Sequence, residues 1–174
     1  MKKIYVILMH THTIPSRIIK AVTKYEYSHV GISLEENCNT IYSFGRVNAH
    51  SILHAGFCIE RRDGEFFKTF HRTECKIFEV LITEEQYEKV EKMLDYMVQN
   101  KKQYKYDYFG IIPRFLGIPV TLKNRYVCSY FVALILAKAK IHRFNKKTCM
   151  VKPQDFSNIR KFHEIYKGSY ALYR

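Results

Sequence analysis

The chain alternates short apolar runs with one long stretch of helical periodicity. Ile4-Tyr5-Val6-Ile7-Leu8-Met9 is apolar at every position. Such a run suits a strand covered on both faces. The polar segment His10-Thr11-His12-Thr13 ends it, and Pro15 to Lys24 reads as a short helix with Thr13 as its cap. Tyr27 to Leu34 and Thr40 to Gly45 are again apolar and β-branched, separated by the polar turn Glu35-Glu36-Asn37-Cys38-Asn39. They predict a hairpin. The pattern weakens over 46–75, where Phe57-Cys58-Ile59-Glu60 reads as strand and Arg61-Arg62-Asp63-Gly64 as turn. Cys75 to Ile82 alternates as a further strand.

Thr83-Glu84-Glu85-Gln86 has the form of a capping box. It opens a helix to about Asn100, with Tyr87, Val90, Leu94, Met97 and Val98 on one stripe. Lys101 and Lys102 follow, where the helix dipole favours cations. A loop through Gly117 and Pro119 leads to a second helix. That helix is capped by Asn124 and apolar on nearly all sides from Val127 to Leu136, as a central, covered helix would be. A late strand is expected near Phe162 to Tyr166. The elements define an α+β fold, expected as one domain over 1–174, without repeats or linkers.

Composition narrows the class. The chain has 174 residues, of which 47% are hydrophobic, enough for a packed core. Its five cysteines are widely spaced with no C-x-x-C pair, which argues against a disulfide framework and a structural zinc site. This usage suits a reducing compartment. The six-residue apolar run after Met1-Lys2-Lys3 is too short for a secretory h-region, and no other run is long enough to span a bilayer. The expected location is cytoplasmic. His10/His12 and His50/His54 are spaced for a strand face and a helix face, but neither pair has a third ligand at metal spacing. No metal or cofactor is expected, although His10 or His12 at a strand end is placed to line a cleft. The net charge of +13 creates a field that attracts polyanions: nucleic acid, anionic lipid or anionic cell-wall material. Lys101-Lys102-Gln103-Tyr104-Lys105-Tyr106 interleaves cations and aromatics, yet no nucleic-acid-binding motif is present, so specific nucleic-acid binding is disfavoured.

Two residues carry candidate chemistry. Cys128 falls in the first turn of the apolar helix, where unpaired N–H groups and the dipole favour a thiolate. His29 sits on a predicted strand, and Gly31 would leave room on the same face beside the imidazole. A thiol hydrolase needs such a pair close in space. Taken singly, a cysteine in an apolar helix is more often inert packing and a strand histidine more often structural.

The segments His29-Val30-Gly31-Ile32 and Cys128-Ser129-Tyr130-Phe131-Val132-Ala133 together resemble the NlpC/p60 superfamily of papain-like cysteine hydrolases. The order, His before Cys, is similar to the circularly permuted branch that includes lecithin retinol acyltransferase-like proteins. Tyr106-Asp107-Tyr108-Phe109-Gly110 and Val151-Lys152-Pro153-Gln154-Asp155-Phe156 fit the same pattern, and the resemblance covers roughly 1–167. It implies a papain-like fold, an antiparallel sheet packed on a central helix with Cys128 at its N-terminus. It also implies a third polar residue on the strand after His29 that orients the imidazole. That strand has no His or Glu, so the position falls to Ser43, or to Tyr42 after a one-residue slip. Tyr126 offers a hydroxyl for an oxyanion or substrate contact, with packing as its ordinary role.

The implied activity is a cofactor-independent cysteine hydrolase or acyl transferase. Its substrate is an amide or peptide bond, with an ester or lipid amide next. The competing expectation is a non-catalytic module of the same fold that holds an anionic ligand or surface through its charge.

Overall fold

The computed structural model describes residues 1–12, 25–47 and 54–173. The helix expected over Pro15 to Lys24, its Thr13 cap and His50 lie outside the described residues.

The described fold is α+β, built on a curled mixed sheet of eight strands. The strands are β1 (Lys2–His10), β2 (His29–Ser33), β3 (Thr40–Arg46), β4 (Ala55–Arg61), β5 (Glu74–Ile82), β6 (Lys105–Tyr106), β7 (Arg125–Tyr126) and β8 (His163–Ser169). Their order is β7-β6-β4-β3-β2-β1-β5-β8. All neighbours are antiparallel except β6 and β7, so the sheet is not the purely antiparallel one expected. The helices are α1 (Glu65–Thr69), α2 (Glu84–Gln99), α3 (Ile111–Phe115) and α4 (Cys128–Lys138).

The unbroken apolar run of β1 follows from its position between β2 and β5, with both faces covered. Ile4, Val6 and Leu8 join the core beneath α2 and α4, whereas Tyr5, Ile7 and Met9 join a second core on the opposite face. The second core is closed by Phe67 of α1 and by Tyr170 and Tyr173 near the end of the chain. Helix α2 begins as its sequence dictates. Thr83 Oγ1 accepts from Gln86 N–H at 3.2 Å and Gln86 Oε1 accepts from Thr83 N–H at 3.0 Å. Val90, Leu94 and Met97 are buried along its inner stripe. In α4, Phe131, Val132, Ala133, Ile135 and Leu136 are buried, and Phe131 packs against Phe44 of β3 and Phe57 of β4. Truncating a ring so placed costs about 3–5 kcal/mol.

The start of α4 differs from expectation. Val127 is the cap residue and Cys128 the first helical residue. Asn124 instead takes a left-handed conformation (φ 57°), and its carbonyl accepts from Lys105 N–H at 3.0 Å. Pairing with β6 claims this residue before the helix begins. Because valine has no side-chain oxygen, the first-turn N–H groups keep their orphan character. Two short helices, α1 and α3, were not legible in the pattern. Among the described residues no helix is long and apolar enough to cross a membrane.

Candidate active site

His29, at the start of β2, and Cys128, at the tip of α4, come together: the thiol lies within interaction range of the imidazole. His29 Nε2 also faces the Glu60 carboxylate, 3.3 Å from Oε1 and 3.4 Å from Oε2. Glu60 lies on β4 and is buried; His29 is mostly so. Burial works against the imidazolium, but the Glu60 carboxylate and the neighbouring sulfur outweigh it. The His29 pKa is therefore raised well above the ordinary value.

The orienting residue expected on β3 is not where the geometry puts it. Ser43 is fully buried and donates its hydroxyl proton to the Val30 carbonyl at 2.7 Å. Tyr42 packs against the core on the helix-covered face, where its ring stacks on Phe57. The carboxylate comes from one strand further on, by way of β4. A second thiol helps to position it, since Cys58 donates weakly to Glu60 Oε1 at 3.7 Å and to the Ser43 carbonyl at 3.6 Å. Burial and then the Glu60 charge hold the Cys58 thiol well above its usual pKa, so it stays protonated.

Glycines allow the close approaches, but not the expected one. A Cβ on Gly31 would collide with Ile41 of β3, so that residue serves strand packing and does not open space by the imidazole. The glycine beside the imidazole is Gly45. A Cβ there would sit 3.3 Å from His29 Cε1 and 3.4 Å from Glu60 Oε1.

Cys128 opens into a cleft of about 240 Å³ whose walls include Tyr27, Tyr106, Ile111, Phe115, Cys149 and Met150. The downstream segment expected to flank the site does so: Val151 to Gln154 line the cleft. Ser129 Oγ ties α4 to this segment by donating to the Val151 carbonyl at 2.5 Å. The upstream segment contributes Tyr106 and a buried ion pair. Asp107 pairs with Arg114 and its Oδ1 accepts from Gly110 N–H at 3.0 Å. Arg114 Nε donates to the Val120 carbonyl at 3.1 Å, while its buried Nη1 has no partner. Tyr106 lies close enough to feel the Cys128 charge. Burial first, and that charge second, push its phenol pKa up, so the hydroxyl remains a donor.

Tyr126 does not join this cleft. It packs against Phe44 and Tyr130, at centroid distances of 5.2 and 5.0 Å. His10 and His12 contact each other at 4.3 Å between ring centroids, and His12 Nε2 lies 3.7 Å from Glu74. Neither is among the residues lining the cleft. Among the described residues no three His, Cys, Asp or Glu side chains group as metal ligands. Glu60 and Tyr106 were the site residues that sequence reasoning did not select. An acid in the apolar strand Phe57-Cys58-Ile59-Glu60 was the available signal for the first. No protein-family model matches the chain, and no curated protein matches it.

Proposed function

We propose that this chain is a cysteine hydrolase of the permuted NlpC/p60 type, with a papain-like arrangement of helix-borne thiol and sheet-borne imidazole, acting on an amide or peptide bond. The observation that carries the reading is the buried relay Glu60–His29–Cys128, whose cysteine lines an apolar cleft. A raised imidazole pKa favours the thiolate–imidazolium pair, the form in which sulfur is nucleophilic. The Cys128 thiolate attacks the carbonyl carbon and the carbonyl π electrons move to oxygen. The first-turn N–H groups of α4 and the Tyr106 hydroxyl are the donors available to that oxyanion. His29 gives its proton to the leaving nitrogen as the C–N bond breaks. It then takes a proton from water, whose oxygen attacks the thioester, and the thiol is regenerated. Glu60 orients the ring and balances its charge throughout. An ester runs through the same steps, with oxygen as the leaving atom.

Trapping tests this reading. Incubation with activated acyl amides and esters, acid quench and intact-mass analysis should find an acyl group on Cys128. The adduct should be absent from Cys128→Ser and His29→Ala. Equal labelling of several cysteines, unaffected by His29→Ala, would reject the enzyme in favour of a binding module.

A further inference from the structure

We infer that the surface formed by α3 and its flanking loops docks on an anionic phospholipid bilayer. Helix α3 is inside out. It buries its arginine, Arg114, and exposes its apolar residues. Phe109, Ile112, Phe115, Leu116 and Ile118 are between 54% and 74% exposed, and they lie within ten consecutive positions. A helix facing water shows the reverse pattern; one lying on hydrocarbon shows this one.

The inversion is built in. The Asp107–Arg114 pair anchors the polar side of the segment in the protein, and Gly110 makes room for it. A Cβ at Gly110 would lie 2.6 Å from Arg114 Nη2. With the arginine held inside, Ile112 and Leu116 are turned to solvent. Contiguous exposed apolar area of this kind marks an interaction surface.

The surrounding charge selects the occupant. Between Asn100 and Val127 the sole acid is Asp107, which is buried against Arg114. The exposed charges of this stretch are all cationic; Lys105 pairs in register with Arg125 between β6 and β7, Lys123 lies two positions before Arg125, and Lys101 and Lys102 sit further off in a groove against β4. Arg125 lies 5.8 Å over the Phe109 ring. Cations beside an apolar patch match a layer of phosphate headgroups above hydrocarbon. A nucleic acid would satisfy the lysines and leave the apolar residues in water. A second copy of the chain would set like charges against each other. Ile111 and Phe115 also wall the Cys128 cleft, so docking would bring one wall of that cleft against the bilayer. The bilayer contact itself stands independently of the thiol chemistry; what the bilayer delivers to Cys128 rests on that proposal.

Flotation of the full chain with lipid vesicles tests the inference. The protein should float with phosphatidylcholine vesicles containing phosphatidylglycerol and about tenfold less with phosphatidylcholine alone. Ile112→Ser combined with Leu116→Ser should cut partitioning about tenfold or more at unchanged Tm. Cys128→Ser should float like the natural chain, which separates this result from the fate of the hydrolase proposal. The chain has no tryptophan, so Phe109→Trp supplies a lone reporter whose emission should shift to the blue on anionic vesicles. Three results would each overturn the inference: no flotation with either vesicle, equal flotation of the double serine variant, or emission unchanged by vesicles. So would a dimer in gel filtration that the double variant converts to monomer, because a second copy would then be the occupant.

Discussion

Glu60 holds His29 from two strands away: both carboxylate oxygens lie within 3.4 Å of Nε2, and β3 runs between their strands. A carboxylate in this position does what the hydroxyl of Ser43 could not. It stabilises the imidazolium by charge as well as by orientation. It also sets the protonation state of the relay, with consequences for pH dependence.

Glu60→Gln should lower the His29 titration midpoint, read by NMR of the ring protons. Burial, the largest single influence on this group, would then be opposed far less. The sign for stability follows from linkage. His29 binds its proton more tightly in the folded chain. Its contribution is therefore fully present below the ordinary value of 6.5 and is lost as pH rises through the raised folded value. Denaturant midpoints of the natural chain should fall across that window, and those of Glu60→Gln should change less. An unmoved titration midpoint would remove Glu60 from the relay.

Alkylation should favour Cys128 over Cys38, Cys58 and Cys75. Burial pushes the Cys38 and Cys75 thiols up to about 12, and Cys58 is also held protonated. At neutral pH these three offer almost no thiolate. Peptide mapping after brief iodoacetamide treatment should find Cys128 modified at least about tenfold faster than these three. His29→Ala should remove about that advantage.

Ser43→Ala separates structure from chemistry. The variant loses a buried hydrogen bond to the Val30 carbonyl and should be less stable by about 1 kcal/mol in urea unfolding. Its Cys128 alkylation rate should stay within about twofold of the natural chain, because Ser43 does not bond the imidazole. A large loss of thiol reactivity with intact stability would return Ser43 to the site.

Gly110→Ala drives a methyl group into the Asp107–Arg114 pair. Overpacking of this kind should cost about 1–3 kcal/mol, measured by chemical unfolding. Asp107→Asn leaves Arg114 buried without its counter-charge and should cost about 3–5 kcal/mol.

The elements with strong periodicity were legible in the sequence. β1, β2, β3, β5 and α2 follow from their apolar runs and the Thr83 capping box. The pairing of Cys128 with His29 was legible through residue type and order. The third member was not, because strand pairing brings Glu60 to the imidazole from β4 while Ser43 turns its hydroxyl to a neighbouring strand. Pattern alone cannot foresee a contact that skips a strand. Helix α3 escaped for a different reason. Its buried residue is an arginine and its exposed ones are apolar, so the usual inside–outside rule reads it backwards.

The register of β1 has a consequence for biogenesis. Lys2–His10 is zipped along its whole length to Glu74–Ile82, so the middle of the sheet stays unsealed on the ribosome until the latter segment emerges. Glu60 and His29, which contact each other, are both synthesised before that point, and Cys128 comes after it. The nascent chain thus completes the His29–Glu60 contact pair before the thiol of Cys128 is made.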